Sequence, residues 1–207
     1  MRVYATIGAL AGWFALALQL YLMLMQSPRQ SMAMVGTVVT FLSFFTILTN
    51  LLAALVFTSI AMRLAGAEFF RRPSVQAGTA VYIAIVGIAY HLLLRQLWNP
   101  QGGQLLADIL LHSVMPAAYL LYWFLFAPRN GLHWKDAVAW LGYPGVYLVY
   151  SLARGAAIGV YPYPFVDVNL LGYGGVFVRA AIFLLAFLAM GLLVVAVGRS
   201  TRGRSSA

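Results

Sequence analysis

The chain has 207 residues, of which 63% are hydrophobic and 8% are charged, and its formal net charge is +9. A soluble domain carries about 25% charged residues, so this composition excludes an ordinary water-soluble globule. The absence of cysteine excludes disulfides, zinc–thiolate sites and thiol nucleophiles. The basic residues lie singly at the ends of apolar runs, which is typical of a membrane topology signal and argues against nucleic-acid binding.

Apolar runs of about 20 residues, the length that crosses a bilayer core, follow one another along the chain. We predict an all-α polytopic membrane protein, a bundle of six transmembrane helices at 3–25, 34–62, 77–98, 104–126, 136–159 and 174–198. The first run is longer than the hydrophobic region of a signal peptide, so we expect a retained helix. The predicted organisation is a single domain over residues 1–198 followed by a short basic tail over residues 199–207.

Basic residues are distributed unevenly between the two sides of this arrangement. Because arginine and lysine favour the cytoplasmic side, the bias predicts that both termini are cytoplasmic. Arginine far outnumbers lysine, as in GC-rich bacterial genomes, so the bacterial inner membrane is the expected location. The richer side holds Arg2, Arg63, Arg71, Arg72, Arg129, Lys135, Arg199, Arg202 and Arg204, and the other side holds Arg29, Arg95, Arg154 and Arg179.

Polar side chains inside the predicted helices are the first candidates for function, because each is costly in a bilayer. They are Gln19 in helix 1, Thr46, Thr49 and Asn50 in helix 2, Tyr90 and His91 in helix 3, Asp108, His112 and Ser113 in helix 4, and Tyr150, Ser151 and Arg154 in helix 5.

Helix 4 combines a carboxylate, an imidazole and a proline in the stretch DILLHSVMP. Asp108 and His112 are four residues apart and share a helix face, where the carboxylate can fix the imidazole tautomer. Pro116 has no N–H to give to the His112 carbonyl, so a kink is predicted there. The alternative is a structural histidine that bonds to a neighbouring helix beside a proline kink.

Helix 2 contains Thr46 and Asn50, which are also four residues apart. Threonine in a membrane helix often bonds to a carbonyl of its own helix, which is the structural alternative here. Asn50 is more unusual, since its amide needs partners for as many as about four hydrogen bonds. Arg154, near the outer end of helix 5, either extends to the interface or binds a carboxylate head group.

Three motifs occur in order along the chain: FFTILTN in helix 2, LLHSVMP in helix 4 and YPYPF between helices 5 and 6. With these motifs the chain resembles, over nearly its whole length, the androgen-induced, androgen-dependent-regulator membrane family and its bacterial six-helix relatives. Animal members are hydrolases of fatty acid esters of hydroxy fatty acids and use a threonine and a histidine inside the membrane. The resemblance implies Thr46 as the nucleophile and His112 as the histidine, with Thr49 as a competing nucleophile. This chain departs from the animal members in a shorter histidine-to-proline spacing and in carrying Arg154 near a position where they have histidine.

The resemblance thus implies an intramembrane lipid-ester hydrolase. A threonine hydroxyl needs a base, which His112 supplies while Asp108 or a backbone carbonyl orients its ring. Candidate residues for the oxyanion, the substrate or general support are Asn50, Asp108, Arg154, His91, Tyr150 and Thr49. The expected partners are a lipid or fatty-acyl ester substrate and membrane lipids, and no metal or cofactor is expected.

Two alternatives of other classes stay open. His91 and His112 lie at similar predicted depth on adjacent helices, so they offer two axial ligands to a haem in an electron-transfer protein. A lipid-binding or structural membrane protein keeps the same fold without catalysis, and hydrolysis of a fluorogenic fatty ester separates it from the enzyme.

Overall fold

The computed structural model describes residues 1–26, 31–63 and 65–200. These residues form helices and no β-strand, which confirms the all-α prediction. The chain divides into two compact units, Met1–Gly131 and Leu132–Ala207, and each is described by itself.

The first unit consists of long apolar helices and two short ones. Its helices are α1 (Arg2–Gln26), α2 (Ser31–Phe41), α3 (Phe45–Met62), α4 (Glu68–Arg71), α5 (Pro73–Ala89), α6 (Gly102–Ile109) and α7 (Met115–Phe126). A first π turn (Tyr90–Leu94) and a 3-10 turn (Arg95–Leu97) prolong α5, and a second π turn (Leu110–Val114) joins α6 to α7. Pro73–Leu97 and Gly102–Phe126 are therefore two continuous helices of 25 residues each.

The second unit contains α8 (Trp134–Ala139), α9 (Gly142–Ile158), a 3-10 turn (Pro164–Val166) and α10 (Val168–Ser200). Gly172 interrupts α10 with a non-helical backbone conformation (φ 62°, ψ 166°). The helix α10 continues to Ser200 and so includes the first two residues of the predicted tail. Residues 201–207 lie outside the described residues, and the tail stays a prediction.

Among the described residues, five helices are long and apolar enough to cross a membrane, as expected of a membrane-embedded protein. They are Arg2–Gln26, Phe45–Met62, Pro73–Leu97, Gly102–Phe126 and Val168–Ser200. The predicted segment 136–159 corresponds to α8 and α9, which are separate helices. With 17 residues, α9 is about 26 Å long, somewhat shorter than a bilayer core of about 30 Å.

The predicted helix over residues 34–62 is wrong as a single element, because the structure breaks it between α2 and α3. Ser43 donates its hydroxyl to the Val39 carbonyl at 2.6 Å, and Phe44 has an extended backbone. A serine hydroxyl that bonds the carbonyl four residues back competes with the backbone N–H for that acceptor. This competition accounts for a helix break that contains no glycine or proline. The break places Thr46 in the first turn of α3 instead of the middle of a helix.

Small residues bring α1 close to its neighbours in the first unit. A Cβ atom on Gly8 would lie 2.7 Å from the Phe57 ring, and one on Gly12 would lie 2.9 Å from Met115 and 3.1 Å from Ala54. Apolar helices in a membrane associate through such close contacts, since lipid supplies no hydrophobic driving force between them. This packing, together with the contacts of α5 against α3 and α7, positions the polar residues described next.

Candidate active site

Side chains of the two π turns contact each other. In each turn a backbone N–H bonds five residues back: Arg95 to Tyr90 in the first turn and Met115 to Leu110 in the second. Single π turns inside α-helices are rare and frequently occur at functional sites. Pro116 lies two residues after Val114, the last residue of the second turn, so the irregularity predicted from the proline takes the form of a π turn.

A glycine of α5 faces the carbonyl that Pro116 leaves without a helical donor. A Cβ atom on Gly87 would lie 3.5 Å from the His112 carbonyl oxygen and 3.3 Å from Cβ of Pro116. Any larger side chain would therefore push α5 away from the second π turn. The close approach of the two helices is therefore the reason for glycine at position 87. Its α-helical backbone conformation is one that any residue could adopt.

His112 and Asp108 form the pair that their spacing predicted. Nδ1 of His112 lies 3.1 Å from the Asp108 carbonyl oxygen and 3.2 Å from Oδ1 of its carboxylate. The carbonyl contact is a hydrogen bond, whereas Oδ1 is within ion-pair distance without hydrogen-bond geometry. Because both neighbours are acceptor atoms, they favour the tautomer with the hydrogen on Nδ1. Nε2 makes no hydrogen bond with any described residue.

Tyr90 completes this pair, and sequence reasoning gave it no role. Its hydroxyl donates to Oδ2 of Asp108, and its ring stacks on the His112 ring with centroids 4.0 Å apart and planes at 15°. Tyr90 lies 18 residues before Asp108 on another helix, so no local spacing links the two. The only sequence signal is that a buried carboxylate needs a donor.

Asn50 connects α3 to the second π turn. Its amide donates to the Thr46 carbonyl at 2.9 Å and to the Leu111 carbonyl at 3.1 Å. The residue next to His112 is therefore tied to the turn that carries Thr46. Both amide hydrogens are thus donated to carbonyls and join the two helices, and the oxyanion or substrate-binding role expected of Asn50 stays a prediction.

The two candidate threonines have different surroundings. Thr46 is buried, with 8% of its surface exposed, and the hydrogen bonds of His112 do not include its hydroxyl. Thr49 is completely buried, and its hydroxyl has no hydrogen-bond partner within the described part of the chain. The carboxamide oxygen of Asn50 is buried without a partner in the same way.

A second contact between the π turns joins His91 to Ser113. Nε2 of His91 lies 3.1 Å from the Ser113 hydroxyl oxygen, and the His91 side chain is exposed. This contact is a hydroxyl–imidazole pair of the kind that activates a nucleophile, and sequence reasoning did not identify it. Tyr90 also contacts the His91 ring edge-on at 5.2 Å. The two imidazoles thus have separate partners, an arrangement that lends no support to a shared haem iron.

Two further predicted residues, Tyr150 and Arg154, lie on α9 in the second unit. Tyr150 is 39% exposed and Arg154 is partly buried. The next residue, Gly155, packs closely against the Tyr161 ring, since a Cβ atom on Gly155 would lie 2.0 Å from it. This part of α9 therefore contacts the segment before the 3-10 turn. The roles expected of Tyr150 and Arg154 stay predictions.

The first unit therefore contains the Asp108–His112 pair and Tyr90, which contacts both members of that pair. Thr46 is linked to the pair through Asn50 and Leu111, and His91 lies beside it with Ser113. Comparison of the chain with protein family models, curated proteins and solved structures gave no match.

Proposed function

We propose that this protein is an intramembrane hydrolase of fatty-acyl esters, of the type that cleaves fatty acid esters of hydroxy fatty acids. Thr46 is the nucleophile and His112 is the general base. The observation that carries the proposal is the Asn50 amide, which bonds the Thr46 carbonyl at 2.9 Å and the Leu111 carbonyl at 3.1 Å. That bridge fixes the threonine turn beside the histidine turn. The resemblance of FFTILTN and LLHSVMP to the androgen-induced family supports the same pair.

The base has the form that this reaction needs. Nδ1 of His112 faces two acceptors of Asp108, at 3.1 and 3.2 Å, so Nε2 is left to accept a proton. As the Thr46 oxygen attacks the ester carbonyl, its proton moves to Nε2. The bond to the alcohol then breaks, the imidazole protonates the leaving alkoxide, and the acyl group stays on Thr46. Water, deprotonated by the same ring, hydrolyses this acyl ester and restores the threonine.

The surroundings of Thr46 favour this chemistry. Its position in the first turn of α3 places it where the helix dipole stabilises negative charge on the attacking oxygen. Its low exposure of 8% keeps the site away from water, which strengthens electrostatic interactions there. Nucleophile and base contacts frequently tighten only when substrate binds, so the present absence of a Thr46–His112 hydrogen bond is compatible with the mechanism.

The decisive experiment is hydrolysis by the purified protein in detergent or lipid vesicles. The substrates are a fluorogenic fatty ester and a fatty acid ester of a hydroxy fatty acid. Thr46→Ala and His112→Ala should each abolish turnover, and the double variant should lose no more, because nucleophile and base act as one unit. Thr49→Ala is the matched control on the same helix and should keep most of the rate. Unchanged activity in Thr46→Ala would exclude Thr46 as the nucleophile.

Ser113 is a second candidate nucleophile, because its hydroxyl already lies 3.1 Å from an imidazole nitrogen of His91. Labelling with a fluorophosphonate probe, followed by peptide mass spectrometry, distinguishes a Thr46 nucleophile from a Ser113 nucleophile. Label on Thr46 that disappears in Thr46→Ala supports the proposal, whereas label on Ser113 transfers the role of nucleophile to that residue. No label and no hydrolysis with several ester chain lengths would favour the non-catalytic lipid-binding protein.

The proposed setting is the bacterial inner membrane, with a single six-crossing bundle and both termini in the cytoplasm. Support comes from the excess of basic residues on one side. In this topology α8 and α9 would together form the sixth crossing. Reporter fusions at Ala207 and in the loop at residues 100–103 should report opposite sides of the membrane. The same side for both fusions would contradict this topology.

A further inference from the structure

Tyr90 makes two different contacts with the Asp–His pair at the same time. It is buried, with 5% of its surface exposed. Its hydroxyl donates to Oδ2 of Asp108, while its ring lies on the His112 ring at 4.0 Å. One side chain of α5 thus touches both members of a pair that belongs to the α6–α7 helix.

The hydroxyl contact decides which carboxylate oxygen faces the imidazole. A buried carboxylate is costly unless its oxygens have donors. Because Tyr90 supplies a donor to Oδ2, the Asp108 side chain is held with Oδ1 at 3.2 Å from Nδ1 of His112. Without that donor the carboxylate can rotate and withdraw Oδ1 from Nδ1, which weakens the preference for the hydrogen on Nδ1.

The ring contact decides which nitrogen of His112 faces the carboxylate. A half-turn of the imidazole about its Cβ–Cγ bond would exchange Nδ1 with Cδ2. Nδ1 would then no longer face the two oxygen atoms of Asp108. The stacked tyrosine, with planes at 15°, covers one face of the ring and restricts that movement. The first π turn makes this possible, because it directs Tyr90 to the buried pair and the next residue, His91, to Ser113.

We propose that Tyr90 is a positioning residue for His112, which sets the tautomer and the orientation of the imidazole through Asp108 and through its own ring. As a role in catalysis, this inference rests on the proposed hydrolase function. The arrangement of the three side chains is testable without any activity. A tyrosine that only joins two helices would leave the tautomer of His112 unchanged when its hydroxyl is removed.

The test compares Tyr90→Phe, which keeps the ring and loses the donor, with Tyr90→Leu, which loses both. Tyr122→Phe is the matched control, since Tyr122 is a buried tyrosine whose hydroxyl donates at 2.7 Å to Gln76 and not to the pair. The first readout is the 15N NMR spectrum of histidine-labelled protein, with the His112 signals assigned by their loss in His112→Ala. The second readout is the division of any effect between kcat and KM.

In the wild type we expect the His112 tautomer with the hydrogen on Nδ1. Tyr90→Phe should shift the ring toward the other tautomer and lower kcat by about tenfold to a hundredfold, the effect of one hydrogen bond to a charged group, with little change in KM. Tyr122→Phe should change neither the tautomer nor kcat. If Tyr90→Leu does not fold, Tyr90→Phe alone decides the question.

An unchanged His112 spectrum in folded Tyr90→Phe would overturn the proposal. If the wild type hydrolyses no ester, the hydrolase proposal fails, but the spectrum still tests the role of Tyr90. A tautomer shift in Tyr90→Phe would then support positioning of His112 by Tyr90.

Discussion

The two ends of the helix pair formed by α5 and α6–α7 both bury polar side chains, but they satisfy them differently. At one end, Gln76 donates to the Arg71 carbonyl at 2.8 Å and accepts from the Tyr122 hydroxyl at 2.7 Å. The Tyr119 hydroxyl bonds the Gln76 carbonyl oxygen at 3.2 Å, and the Phe57 ring packs against both tyrosines. The helices are regular there, and these hydrogen bonds join them.

At the other end, each helix contains a π turn, and several buried polar atoms have no hydrogen-bond partner in the described part of the chain. The Thr49 hydroxyl, the Asn50 carboxamide oxygen and Oδ1 of Asp108 are buried and make no hydrogen bond with the described residues. An unsatisfied buried polar group costs about 1–3 kcal/mol in water-soluble proteins. Buried polarity alone therefore does not distinguish the two ends, whereas unsatisfied polarity beside irregular backbone does, and that combination is typical of functional sites.

The largest expected effect is that of Asp108→Asn at the irregular end. An amide in place of the carboxylate can donate to Nδ1 and so favours the hydrogen on Nε2, which removes the base. Hydrolysis should fall roughly a hundredfold to ten-thousandfold, the range that a positioned general base contributes. Melting of the purified protein in detergent checks that the loss is not one of folding. A rate near that of the wild type would remove Asp108 from the mechanism.

Tyr122→Phe at the regular end should change stability and not activity. The substitution leaves the Gln76 amide oxygen without its donor at 2.7 Å, so we expect a loss of about 1 kcal/mol in the free energy of unfolding. Unfolding in mixed detergent measures the change, and kcat should stay within experimental error of the wild type. A large fall in kcat would mean that the two ends are coupled.

Gly87→Ala tests whether the second π turn needs its close neighbour. The added Cβ atom would lie 3.3 Å from Pro116, so α5 must move by a few tenths of an ångström. We expect kcat to fall by about threefold to tenfold, a free-energy change near 1 kcal/mol or less. Gly36→Ala is the control, because a Cβ atom there meets nothing within 4 Å. Equal effects of the two substitutions would deny Gly87 a specific role.

Thr49→Val should give the smallest effect, and in the opposite direction. The substitution replaces a buried hydroxyl that has no partner by a methyl group of similar size. Stability should rise by about 0.5 kcal/mol, since the unsatisfied group is removed. Activity should be retained, which also distinguishes Thr49 from Thr46. A loss of stability would show that the Thr49 hydroxyl has a partner under the conditions measured.

Sequence reasoning identified the Asp–His pair because everything needed to find it is local. Asp108, His112 and Pro116 are spaced at four residues, which fixes a common face and identifies the carbonyl without a donor. The same applies to Asn50, whose bond to the Thr46 carbonyl follows helical spacing. The membrane character followed from the length and composition of the apolar runs.

The rest depended on contacts between helices and on breaks that hydropathy does not record. Tyr90 reaches Asp108 through a π turn that has no proline within it. The break before Phe45 arises where a serine hydroxyl bonds a backbone carbonyl, inside a run that carries no charge. Neither feature changes the periodicity or the mean hydropathy of its segment, so the sequence alone favours uninterrupted helices there.

Two arginines of α10 lie at the ends of a long uncharged stretch of that helix. Arg179 and Arg199 enclose residues 180–198, which carry no charge and measure about 29 Å along a helix, close to the thickness of a bilayer core. The Arg179 guanidinium turns back to the Gly175 carbonyl at 3.4 Å, away from this apolar stretch, and Arg199 lies over the Trp134 ring at 5.7 Å. A helix held by a cation at each end cannot slide along the membrane normal without drawing one guanidinium into hydrocarbon. In a bilayer, this spacing predicts a fixed vertical register for α10, with the residues before Arg179 in the head-group region.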